Sequence, residues 1–101
     1  MSGGFDPVLH PPARLQIAAF LANVTEAEFA RLRAVTGVAD SVLSKHLSAL
    51  VEAGHVKLRK APFEGRQRTW AALTAGGRKA FAAHLAALHA LVSDSTAAAA
   101  E

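Results

Sequence analysis

The feature that most constrains this chain is a change of apolar period at Gly54. Upstream, apolar residues recur at intervals of three and four, the spacing of helices packed by one face. Immediately downstream, Val56 and Leu58 alternate with His55, Lys57 and Arg59, which is the period of a strand. The turn-rich run Ala61-Pro62-Phe63-Glu64-Gly65 interrupts that strand, and alternation resumes as Thr69, Ala71 and Leu73 against Arg68, Trp70 and Ala72. The helical spacing then returns. A chain of 101 residues, about half of them apolar, has material for one core. One hairpin enclosed by helices therefore predicts an α+β domain, mainly α, with a small sheet at its edge.

The flanking patterns set the expected elements. Asp6 to His10 reads as a short turn before Pro11 and Pro12 open a first helix over about 12–23, with Ile17, Phe20, Leu21 and Val24 on one stripe. Thr25-Glu26-Ala27-Glu28 reads as a capping box starting a second helix, whose inner residues are Phe29, Leu32 and Val35 and whose end is Gly37. Only Val38 and Ala39 separate it from Asp40, expected as the N-cap of a third helix that buries Leu43, Leu47, Leu50 and Val51 and closes at Gly54. Two helices joined so tightly must cross steeply. Thr74 is expected to cap a last helix over 75–92, with Phe81, Leu85, Leu88 and Val92 at i, i+4, i+7 and i+11. That stripe is longer than a three-helix core can cover. We read it as a dimerisation seam, with packing back on the first helix as the other reading. The domain is expected over 6–92, between a flexible N-terminus at 1–5 and a flexible tail at 93–101.

Composition removes several function classes. Without cysteine there is no disulfide, thiolate metal site or thiol redox chemistry, as suits a reducing cytoplasm. No apolar run approaches the roughly 20 residues of a membrane span, and Met1 to Gly4 has no signal-peptide pattern, so a soluble cytoplasmic protein is expected. An enzyme is not expected, because neither a catalytic motif nor a Gly-rich phosphate loop is present. Neither a cofactor nor a metal is expected, since His84 and His89 are five residues apart on a helix and diverge. The net charge of +3 is unevenly placed. Residues 41–79 hold eight cations against two anions, leaving the remainder at net −3. A localised positive field suits an anionic partner, most often nucleic acid.

Helix, helix, tight turn, helix and basic hairpin form an arrangement able to grip a duplex. The third helix fits the major groove, and the hairpin reaches the adjacent backbone or minor groove. Its apolar stripe leaves Asp40, Ser41, Ser44, Lys45 and Ser48 toward DNA, where small polar groups permit close approach. The hairpin contributes Lys57, Arg59, Arg66, Gln67 and Arg68. His46 has a structural or phosphate-contacting reading, and His10 a helix-capping one near Arg14. Trp70 is read as packing, or else as part of a ligand pocket or partner surface. Phe63 is read as an anchor of the wing rather than a wedge between bases.

With those residues in order, the sequence resembles the compact winged helix-turn-helix domains related to the MarR and ArsR regulators. The likeness runs from about Asp6 to Leu91 and is carried by Asp6-Pro7-Val8-Leu9-His10, Arg14-Leu15, Leu43-Ser44-Lys45-His46-Leu47, Leu50, Glu52-Ala53-Gly54, Gly65-Arg66, Arg68-Thr69, Leu73-Thr74 and Gly77-Arg78. The resemblance implies a homodimeric repressor or activator paired through terminal helices. The chain departs from the pattern at Ala39, where a Thr or Ser cap is usual, and offers little between Asn23 and Thr25 for the short strand that commonly precedes the second helix. A wing sheet of two or three strands is thus expected. The reading that results is a sequence-specific double-stranded DNA-binding transcriptional regulator, a repressor acting as a homodimer, with an unidentified small-molecule effector as a further partner. The alternative is a winged helix used as a protein-interaction or RNA-binding module.

Overall fold

In the computed structural model, the backbone is described for residues 4–100 and the side chains for residues 4–94. The chain runs α1 (Pro12–Leu21), β1 (Ala27–Glu28), α2 (Phe29–Thr36), α3 (Asp40–Glu52), β2 (Val56–Phe63), β3 (Arg66–Leu73) and α4 (Ala75–Ala100). Ile17 and Leu21 of α1, Leu32 of α2, and Leu43, Leu47 and Leu50 of α3 are buried together with Val56, Ala71 and Leu73 of the sheet. Helical stripes and strand alternation thus meet in one core. Two residues expected in it remain outside: Val51 is 39% exposed and Leu58 45%.

Thr25-Glu26-Ala27-Glu28 is a strand approach, not a capping box. Ala27 and Glu28 form β1, pairing antiparallel with Ala71 and Trp70 of β3, and α2 begins only at Phe29 with no side-chain cap. The reason lies in what the two glutamates meet: Glu26 reaches Arg59 and Glu28 reaches Arg68, so neither carboxylate turns back onto the helix. The sheet has three strands in the order β1-β3-β2.

The hairpin is longer than its turn-rich sequence suggested. β2 continues through Ala61-Pro62-Phe63, and only Glu64 (φ 52°) and Gly65 (φ 76°) form the turn. Two consecutive positive φ values give the two-residue turn whose twist matches paired strands. Pro62 is tolerated because β2 is an edge strand.

Asp40 is the first residue of α3 rather than its cap; the cap position is Ala39, which makes no side-chain bond. Thr74 caps α4 as expected: its Oγ1 accepts the Gly77 N–H at 2.8 Å while the hydroxyl donates to the Gly54 carbonyl at 2.6 Å. α4 continues past Val92 to Ala100. Of the expected tail, Ser93 and Asp94 are exposed, whereas the side chains from 95 onward and Glu101 lie outside the described residues. Of the expected flexible N-terminus, residues 1–3 also lie outside them; Gly4 and Phe5 pack on α4, with the Phe5 ring edge-on to His84 at 5.7 Å.

Asp6 ties that segment down. Its N–H donates to His84 Nδ1 at 2.8 Å, one carboxylate oxygen accepts the Val8 N–H at 2.9 Å, and the other lies 2.8 Å from His55 Nε2. Burial opposes the charge of Asp6, but these hydrogen bonds and the His55 ring hold its carboxyl below the usual range. Among the described residues no helix is long and apolar enough to cross a membrane.

Candidate nucleic-acid interface

One stripe of α3 is polar and open. Ser41, Ser44, Lys45 and Ser48 fall at i, i+3, i+4 and i+7, and all are exposed, while Leu43, Leu47 and Leu50 are buried behind them. Asp40 is turned elsewhere. Its two carboxylate oxygens lie 2.9 and 3.2 Å from one guanidinium nitrogen of Arg33 on α2.

Strand alternation decides which hairpin residues share a side with that stripe. Val56 is buried, and Leu58, Lys60 and Pro62 follow it on the same face of β2, paired with Ala71, Thr69 and Gln67 of β3. A hollow of about 250 Å³ between helix and hairpin is lined by Ser44 and Ser48 from α3 and by Leu58, Lys60 and Thr69 from the sheet. The polar face of α3 and the inner face of the hairpin therefore border a single groove.

Lys57 and Arg59, expected at the interface, lie on the opposite face, as does Arg68. Arg59 is gripped by Glu26 through two guanidinium nitrogens and sits 5.7 Å over the Trp70 ring. The Arg59 hydrogen bond holds Glu26 below the usual carboxylate range and raises the guanidinium in turn. Arg68 bonds Glu28 at 2.9 Å and lies 5.3 Å over Phe63, which meets Trp70 edge-on at 6.1 Å. Trp70 and Phe63 thus pack in a ladder of rings and guanidinium groups that stiffens the wing. Arg66 and Gln67 stay exposed at the turn. Among the described residues Lys45, Lys60 and Arg66 have no ion-pair partner.

Two cations at this surface were missed in the sequence. Extending the Val56 and Leu58 alternation by one step, through the assumed break at Ala61, would have found Lys60. Arg33 carries no such signal, because only folding brings the last turn of α2 to the start of α3. His46, His55 and His84 take part in contacts within the fold. Arg14 Nε donates to His46 Nδ1 at 3.0 Å, joining α1 to α3, and burial together with the Arg14 charge pushes the His46 ring below its ordinary pKa. His84 is fully buried, His89 is exposed, and His10 caps nothing but lies edge-on to His84 at 5.8 Å.

Comparison with known proteins agrees with this geometry. The family model described as "Winged helix DNA-binding domain" matches residues 13–92. An uncharacterised protein of Methanocaldococcus jannaschii is 32% identical over 74 residues, 73% of this chain and 80% of its own. The solved structure of a transcriptional regulator homologue from Pyrococcus horikoshii is 29% identical, with a TM-score of 0.80 over 86% of each chain. A MarR-family regulator from Enterococcus faecalis, described as putative in its own right, shares 18% identity with a TM-score of 0.77 over 93% of this chain and 84% of its own, a likeness of fold. A polar, exposed stripe on α3, a three-stranded wing and these likenesses converge: the chain belongs to the winged helix DNA-binding domain family, and its fold is the one that MarR-type transcriptional regulators share.

Proposed function

We propose that this protein is a sequence-specific, double-stranded DNA-binding transcriptional regulator that acts as a homodimer. The observation that carries the reading is the groove bordered by Ser44 and Ser48 of α3 and by Lys60 and Thr69 of the hairpin. In it α3 enters the major groove, where Ser41, Ser44, Lys45 and Ser48 approach base edges and phosphates, while Lys60, Arg66 and Gln67 reach the neighbouring backbone or minor groove. Arg59 and Arg68 act from behind, holding the wing in place. Occupancy of an operator is enough to block transcription, which makes repression the simplest output.

Homodimer formation is supported by the length of α4. At 1.5 Å per residue its 26 residues span about 39 Å, against 25 and 21 Å for the two short dimensions of the molecule. Of the expected seam, Phe81 packs partly on the monomer core and Leu88 is half-buried, whereas Leu85 and Val92, with Leu91 beside them, are exposed. A second copy laid along this half of α4 buries them. Two recognition helices then address half-sites about one helical turn, roughly 34–36 Å, apart.

Selection of bound duplexes from a random pool at two salt concentrations tests the assignment. A palindromic motif should emerge, and Ser44→Ala or Lys45→Ala should erode the preference for it over random duplex. Lys60→Ala and Arg66→Ala should each flatten the log-log salt dependence by about 0.9 per subunit. No enriched motif and no salt-dependent duplex binding would remove the assignment.

A further inference from the structure

Between α2 and β3 lies a cleft of about 350 Å³, lined by Arg33, Arg66 and Arg68 together with Glu28, Phe29 and Thr69. It opens because β1 stops at Glu28: beyond the pairing of Trp70, no strand covers the β3 edge from Thr69 back to Arg66. Phe29 and Thr69 also line the groove between α3 and the hairpin, so the two hollows adjoin.

The cations of this cleft differ in how firmly they are held. Arg68 is committed to Glu28, both side chains being about three-quarters buried, and forms a wall. Arg66 is exposed at the turn. Arg33 is held by Asp40, but that pair is open to solvent, with side-chain exposures of 49% and 62%. Such a surface pair is weak and exchangeable. A phosphate presents a guanidinium with a pair of anionic oxygens as a carboxylate does, and competes for its N–H donors.

We propose that this cleft seats one phosphate of the duplex backbone, with Arg33 and Arg66 as its donors, and that Asp40 competes with that phosphate for Arg33. Asp40 is then a mask that sets affinity, not a base contact. The seat rests on the DNA-binding reading above and extends the footprint from α3 and the wing onto α2. A phosphate on Arg33 meets the charge of Asp40 whatever the base sequence, so the mask weakens selected and random sequences alike.

Fluorescence anisotropy of a labelled duplex with the full chain, at several salt concentrations, tests the seat. Arg33→Ala should lower the log-log slope by about 0.9 per subunit, and Arg33→Lys should retain most of it. Asp40→Asn should tighten binding about 1.5- to 5-fold on selected and random duplexes alike, and in an Arg33→Ala background should gain no more than Glu52→Gln does. Glu52→Gln, which removes an exposed negative charge at the far end of α3, should tighten binding less. Thermal melts of the same variants confirm that they are folded.

An unchanged slope in Arg33→Ala overturns the seat, and so does an Asp40→Asn gain that survives undiminished without Arg33. A wild-type chain that binds no duplex overturns both the seat and the DNA-binding reading. A chain that binds duplex but ignores Arg33 overturns the seat alone. Inorganic phosphate, added at constant ionic strength, should compete poorly with duplex. If millimolar phosphate displaces duplex from the wild type but not from Arg33→Ala, the cleft belongs to a free phosphate and the backbone assignment is overturned.

Discussion

Gly77 should be the least replaceable glycine in the chain, and its neighbour Gly76 among the most replaceable. Both lie in the first turn of α4, where alanine is favoured over glycine by about 1 kcal/mol on helix propensity alone. They differ in what a side chain would meet. A Cβ at Gly76 would find Thr74 Oγ1 at 3.7 Å, an ordinary contact. A Cβ at Gly77 would lie 2.0 Å from the His55 carbonyl oxygen, with the His55 carbonyl carbon and Cα at 2.8 and 2.9 Å. The obstacle is backbone, so no rotamer change relieves it. That carbonyl also accepts the Thr74 N–H at 3.0 Å, joining the start of β2 to the cap of α4.

To admit a methyl group, α4 must lift by at least about 1 Å to bring the oxygen out to the 3.0 Å that real contacts respect. Lifting strains the Thr74 hydrogen bond to His55 and the Thr74 cap, each worth about 1 kcal/mol. Overpacking adds about 1–3 kcal/mol, and the helix-propensity gain offsets about 1. Gly77→Ala should therefore destabilise by roughly 2–4 kcal/mol, lowering Tm by about 8 °C or more. Gly76→Ala should leave Tm unchanged or raise it. The assay is a pair of thermal and urea melts at one fixed protein concentration, because association would otherwise shift the midpoint. If the two variants move together, or Gly77→Ala melts with the wild type, the close approach of α4 to β2 is wrong.

Two further outcomes follow from other parts of the fold. Leu85→Asp places a charge on the exposed half of α4, away from the monomer core, and should yield a folded monomer with much weaker operator binding; a variant that sediments as a dimer would locate the pairing surface elsewhere. Acid should destabilise the fold through His46: its folded pKa is depressed, so stability is intact above its unfolded value near 6.5 and falls as pH drops from there toward the folded value. His46→Asn keeps an acceptor for Arg14 but cannot titrate, so the urea midpoint of the wild type should fall more than that of the variant between pH 7 and 5. Parallel curves would show that the ring is not held neutral by its surroundings.

The parts of this fold legible in the sequence are those fixed by periodicity. Leu43, Leu47 and Leu50 announce α3 and so leave Ser44, Lys45 and Ser48 outside it; the return from Lys57 to Thr69 announces the hairpin. β1 was hidden because Thr25-Glu26-Ala27-Glu28 satisfies the local chemistry of a helix cap equally well. Its choice is made by partners 33 and 40 residues away, Arg59 and Arg68, which local pattern does not contain. The turn at Ala61 misled for a related reason: proline is excluded from a central strand but not from an edge, and edge position is a property of the whole sheet.

The same pairing alters how the wing's charge should be understood. Residues 41–79 carry +6 along the chain, yet Glu26 and Glu28 come from outside that segment and each neutralises one of its arginines. Two cations are thereby withdrawn from the field a duplex feels and used to fasten a two-residue strand that has few backbone bonds of its own. The remaining unpaired cations near α3, Lys45, Lys60 and Arg66, lie on the helix, on the inner face of the hairpin and at its turn. On the proposed reading, Lys45 on the helix and Lys60 on the inner face line the path of a backbone past α3 with Arg66 at the turn, whereas charge further back on the outer face would attract DNA without orienting it. On that reading, neutralising Arg59 and Arg68 weakens non-directional attraction while leaving the oriented contacts intact, which favours placement of α3 over mere adhesion.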